Sequence, residues 1–122
     1  MTRLAVIDFE TTGISPGQGD RATEVAIVIV DNGQVVDRFQ SLMNAGVRIP
    51  SFITQLTGIT NAMLASAPSA AQAMAEASRF VGTLPLVAHN AAFDRKFWQA
   101  ELARIDAPAA QPFVCTLLLS RR

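Results

Sequence analysis

A single cysteine, Cys115, is all the thiol this sequence of 122 residues offers, so an internal disulfide framework is ruled out. That scarcity fits a reducing, cytoplasmic setting. Charge of one sign is lacking too. Ten Lys and Arg balance ten Asp and Glu, so charge gives no footprint of a nucleic-acid partner. No apolar stretch is long enough to span a bilayer, and no membrane partner is expected. The first apolar run, Leu4–Ile7, is short and ends in acids, unlike a signal peptide. There is no phosphate-cradling glycine loop of the P-loop type, no repeat and no low-complexity block. What remains is a chain that is 50% apolar, enough for a sizeable core in one domain over residues 1–122.

Periodicity sets the element order. Leu4–Asp8 reads as a buried strand, followed by a Gly-, Ser- and Pro-rich loop over Thr11–Arg21. Glu24–Val30 reads as a second strand. Asp31-Asn32-Gly33 is a hairpin signal, returning a third strand from about Gln34 to Met43. Pro50 opens a short helix through Leu56, stopped by Gly58. Ser69 to Gln72 resembles a capping box ahead of a helix that ends near Gly82. Leu86–Ala88 is a short strand. Asn90 caps a helix running to about Ile105, with Phe93, Phe97, Trp98, Leu102 and Ile105 as its buried stripe. Phe113–Cys115 is a last strand, and Thr116 starts a further helix. This order predicts an α/β fold: a mixed sheet, part antiparallel hairpins and part parallel strands, flanked by helices.

Asp8 and Glu10 are two apart on the first strand, so both carboxylates point to one face at the strand's carboxyl end. Ligand sites in α/β sheets favour that end. Two adjacent carboxylates repel unless one is protonated or a cation lies between them, and Mg²⁺ or Mn²⁺ prefers such oxygen ligands. The plain alternative is a pair of solvated acids. Thr11, Thr12 and Gly13 follow; Gly13 permits a tight turn, and the threonine hydroxyls and backbone N–H groups suit a nucleotide. Asp94 lies in the first turn of the late helix. It is read either as a carboxylate favoured by the helix dipole, with Asn90 as cap, or as a third ligand facing Asp8 and Glu10. His89, the only histidine, reads as structural more readily than catalytic.

Taken together, these segments resemble the DEDD, or DnaQ-like, exonuclease family. DFETTG at Asp8–Gly13 is similar to its first motif and HNAAFD at His89–Asp94 to its second. LTGIT at Leu56–Thr60 is similar to the stretch beside the terminal nucleotide. The resemblance covers essentially the whole chain. It implies a ribonuclease H-like fold and stepwise 3′–5′ hydrolysis of nucleic acid, DNA proofreading among the uses. The partners implied are single-stranded DNA or RNA 3′ ends and a DNA polymerase. By resemblance, Asp8, Glu10 and Asp94 hold Mg²⁺ or Mn²⁺, two ions per site about 3.5–4 Å apart. Thr11, Thr12, Gly13, Leu56, Thr57, His89, Asn90 and Phe93 contact the substrate, with Leu56 and Phe93 wedging or stacking on its last base. The alternative for Phe93 is core packing.

The chain departs from the family after Asp94. The third motif supplies a further aspartate and, in one branch, a histidine before it. Here only Glu101 and Asp106 follow among the acids, and no histidine does. The expectation is a C-terminally incomplete domain lacking the family's last helix, weak or inactive alone. Bare apolar surface around Leu117–Leu119 would then invite a homodimer. A non-catalytic ribonuclease H-like binding module is the alternative that explains the missing motif. A haloacid-dehalogenase-like phosphatase also puts acids after a first strand. It wants a second aspartate where Glu10 stands and a downstream lysine, for which only Lys96 is present.

Overall fold

A computed structural model describes residues 2–115. The sequence expectations for Thr116 and Leu117–Leu119 fall outside that range. Five strands form one mixed sheet. They are β1 (Arg3–Thr11), β2 (Ala22–Asp31), β3 (Gln34–Leu42), β4 (Leu86–Ala88) and β5 (Phe113–Cys115), in spatial order β3-β2-β1-β4-β5. β1 runs antiparallel to β2 and β2 to β3; β4 is parallel to β1, and β5 to β4. The sheet is therefore part hairpin and part crossover, as the element order predicts. The hairpin rests on Asn32 and Gly33, both at positive φ (52° and 83°), the backbone a two-residue turn between twisted strands requires.

Four helices complete the described residues: α1 (Ser51–Thr57), α2 (Asn61–Ala65), α3 (Ala70–Val81) and α4 (Ala91–Ala103). A 3₁₀ turn, Pro16–Gln18, lies in the loop after β1. Alternation along β1 sends Ala5, Ile7 and Phe9 to one face, where Val25 and Ile27 join them under α3 and α4. Met74, Ala77 and Val81 of α3 and Phe97, Trp98 and Leu102 of α4 close this core. Phe93 and Ile105 pack only at its margin. A smaller cluster, Ile49, Ile53, Ile59 and Leu64, holds α1 and α2 together and packs on Leu42.

Several boundaries differ from the sequence reading. β1 continues three residues past Asp8, to Thr11, the residue at which the loop was expected to begin. Pro50 occupies the cap position of α1, one residue before the helix. Helix α2 was not expected. Thr60 makes it by accepting from Met63 N–H at 3.1 Å, while Thr60 N–H points back to the Met63 sulfur. Ser69 does cap α3 by accepting from Gln72 N–H at 3.1 Å, but the reciprocal half of the box is missing: the Gln72 amide turns instead to Glu76. Asn90 accepts from Phe93 N–H and caps α4.

Candidate active site

The hydrogen-bond direction of β1 decides what Asp94 does. Ala5 N–H donates to Pro85 O, so the odd-numbered amides of β1 aim at β4. β4 pairs with β1 only at Ala5 and Val6, and it ends at Ala88. Phe9 N–H therefore points past the end of its neighbour, and a buried backbone donor needs a partner. Asp94 supplies it: Oδ1 accepts from Phe9 N–H at 3.1 Å. The chain leaving β4 turns at once into α4, which brings the first turn of that helix to this free strand edge.

Asp94 is 3% exposed. Burial pushes its carboxyl up from 3.8 to about 7. Phe9 N–H opposes the rise, and the charges of Asp8 and Glu10 add to it. Glu10 is also raised, by burial first and then by Asp8 and Glu24. The Asp8 charge thus acts on both Glu10 and Asp94. Asp8 and Glu10 share the sheet face away from α3 and α4. Asp94 comes in at the strand edge between them. Among the described residues, no three His, Cys, Asp or Glu side chains stand close enough to form a ready-made metal cage. The three expected ligands are thus gathered at one strand end but not closed around a point.

Glu24 is a carboxylate the sequence reading left without a role. It lies directly across from Glu10 on β2 and accepts from the Gln40 amide. Leu42 is its neighbour on β3, on the same face. Leu42, two strand spacings or roughly 10 Å from Glu10, packs on the small cluster under α1.

On α1, Leu56 is 78% exposed, so core packing does not account for it. Thr57 is half-buried and spends its hydroxyl on the helix end, donating to Ile53 O and accepting from Ile59 N–H. Thr11 and Thr12 are buried and hold the turn after β1. Thr11 Oγ1 donates to Gly13 O, and Thr12 Oγ1 donates to Asp20 and accepts from Arg21 N–H. Asp20 also accepts from Ser15 N–H. Its carboxylate occupies the space a Cβ at Gly13 would need, so close approach, not positive φ, requires that glycine. His89 and Asn90 are exposed between β4 and α4. Phe93 is half-buried, its ring 5.0 Å from that of Phe97, so one side serves the core and the other is open.

An oxygen-only donor set in which the Glu10 and Asp94 carboxyls are raised suits a hard divalent cation, which would relieve the repulsion. The comparisons with known proteins point the same way. The family model RNase_T, described as Exonuclease, matches residues 5–122. The 3′-5′ exonuclease DinG of Bacillus subtilis (strain 168) is 41% identical over 100 residues, 82% of this chain and 11% of the relative. The PolC-type DNA polymerase III of Staphylococcus aureus is 39% identical over 117 residues, 95% of this chain and 8% of the relative. The chain thus spans a small fraction of these relatives' length. Exonuclease I of E. coli, solved with a 5cy-dA13 oligonucleotide, superposes with a TM-score of 0.85 at 18% identity, over 99% of this chain and 29% of that one. That likeness establishes the ribonuclease H-like fold.

Proposed function

The chain belongs to the exonuclease family, and from that premise we propose that its acidic site trims single-stranded DNA or RNA from the 3′ end with the help of divalent metal ions. The observation that carries the reading is the meeting of Asp94, from a late helix, with the strand segment between Asp8 and Glu10. Dependence on divalent metals is general in the family, and Mg²⁺ or Mn²⁺, two per site, are the ions proposed here.

Asp8, Glu10 and Asp94 are the residues that would hold them. Bound there, the ions supply electrostatic stabilisation of the attacking and leaving oxygens. The chain's own part is orientation. Phe9 N–H fixes one oxygen of Asp94 and leaves the other for the site. Leu56, exposed on α1, wedges against the terminal base. The open side of Phe93 stacks on it. Backbone groups of the Thr11–Gly13 turn, with Thr57, His89 and Asn90, border the nucleotide. A single strand as substrate follows from this wedge. It also agrees with two solved exonuclease I structures of the same fold, which are single-stranded DNA complexes in metal-free and zinc-bound forms. A DNA polymerase as partner is proposed from the PolC-type DNA polymerase III relative alone.

A 5′-labelled single strand incubated with Mn²⁺ tests the reading. A ladder shortening one nucleotide at a time, abolished by Asp8→Ala, supports it. Cleavage that is internal, or unaffected by Asp8→Ala, contradicts it. One observation favours a second reading, a non-catalytic ribonuclease H-like binding module: the acids do not form a ready-made cage among the described residues. That reading predicts no divalent-ion binding.

A further inference from the structure

Glu101 is buried, 2% exposed, yet nothing about the three carboxylates calls for it. It lies seven residues after Asp94 on α4, two turns along, and so on the same helix face. Oε1 and Oε2 accept from Arg21 Nη2 at 2.9 Å and Nε at 3.0 Å, a two-pronged fork, and Oε2 also accepts from Ala22 N–H at 3.1 Å. Arg21 is nearly as enclosed, and its remaining Nη1 reaches Ala45 O at 3.4 Å. Through its backbone, Arg21 grips the turn after β1: Thr12 N–H donates to Arg21 O at 2.9 Å, and Arg21 N–H donates to Thr12 Oγ1 at 3.1 Å.

Helix α4 is thus pinned to the strand pair by two carboxylates, one near each end. Each accepts a backbone N–H, from Phe9 of β1 and from Ala22 of β2. Lys96 adds a more exposed tie, donating to Ile14 O. A buried ion pair adds little net stability over well-packed apolar residues, because desolvation offsets its attraction. What a bidentate fork does supply is a fixed distance and angle. The distance fixed here is between the helix that carries Asp94 and the strand end that carries Asp8 and Glu10.

We infer that Arg21 and Glu101 are positioning residues for the metal-binding reaction, acting through the placement of Asp94 and not by touching metal or substrate. The inference rests on the functional reading above. Its test is calorimetric titration with Mn²⁺ of the full chain and of Glu101→Gln and Arg21→Lys, well below their melting temperatures, together with hydrogen exchange at Phe9 N–H in chelator. Glu101→Gln keeps shape but loses charge; Arg21→Lys keeps charge but loses the fork, and it provides the test if Glu101→Gln does not fold. The expected result is a folded variant with Mn²⁺ affinity at least tenfold weaker and Phe9 N–H at least tenfold less protected, while central sheet amides such as that of Ile27 stay protected. Unaltered affinity and unaltered Phe9 protection in a folded variant would overturn the inference and leave the functional reading intact. No Mn²⁺ binding by the unmodified chain would remove both.

Discussion

The Asp94 carboxylate accepts from the backbone N–H of Phe9 at 3.1 Å, across 85 residues of sequence, and Phe9 sits between Asp8 and Glu10. One contact thus satisfies an amide that the short strand β4 leaves bare and sets an acid at the edge of an acidic strand. The two roles separate by substitution. Asp94→Asn keeps an oxygen for Phe9 N–H while removing the buried charge. It should fold with stability equal to or above that of the unmodified chain, and bind Mn²⁺ at least tenfold more weakly. Asp94→Ala strands the amide and should cost about 1–3 kcal/mol. Chemical denaturation beside a Mn²⁺ titration checks both; a large stability loss in Asp94→Asn would refute the division.

The raised Asp94 pKa makes a pH prediction. With a folded value of about 7 against an ordinary 3.8, the folded chain holds this proton more tightly than the unfolded chain does. Its stabilising contribution is complete below about pH 3.8 and is lost as pH rises through about 7. Glu10, also raised, pushes in the same direction. In chelator, the melting temperature should therefore fall between about pH 4 and pH 8, and more shallowly in Asp94→Asn. Identical slopes for the two proteins would show that this carboxyl is not the cause. Since a proton competes with a cation for the same oxygens, Mn²⁺ affinity should rise over the same interval.

Leu56 and Ile53 share helix α1 but differ in burial: Leu56 is exposed and Ile53 is not. Leu56 is exposed, so Leu56→Ala should change stability by no more than about 0.5 kcal/mol while raising KM for an oligonucleotide several-fold. Ile53 is part of the small cluster under the helix, and Ile53→Ala should cost about 2–5 kcal/mol. Thermal melts and steady-state kinetics on both variants test the assignment of Leu56 to substrate contact. An unaltered KM in Leu56→Ala would refute it.

Features governed by local chemistry were legible in the sequence. The Asn32-Gly33 turn, the caps at Ser69 and Asn90 and the apolar stripe of α4 each depend on residues within a few positions of one another. What escaped depends on contacts far apart in the chain. The loop joining β1 to β2 is long, so no turn fixes their register, and the pairing of Glu10 with Glu24 could not be read. Glu101 looks like any helix acid until Arg21 and Ala22 are placed beside it. Helix α2, five residues long, has too little periodicity to announce itself, although Thr60 before it was a signal. Thr11, read as the start of the loop, is the last residue of β1, since a threonine beside Gly-, Ser- and Pro-rich sequence resembles a loop residue.

Gly13→Ala tests the turn after β1. The added Cβ meets the Asp20 carboxylate, which holds Thr12 Oγ1 and Ser15 N–H. The expected cost is about 1–3 kcal/mol, with a loss of exonuclease activity larger than the loss of folded protein. An active, fully stable Gly13→Ala protein would show that Asp20 moves aside freely.

The most direct measurement is a calorimetric Mn²⁺ titration of the metal-free chain beside Asp8→Ala, Glu10→Ala and Asp94→Asn. Saturable binding by the unmodified chain, weakened at least tenfold by each substitution in turn, is expected. Absence of binding, or binding indifferent to all three, would contradict this.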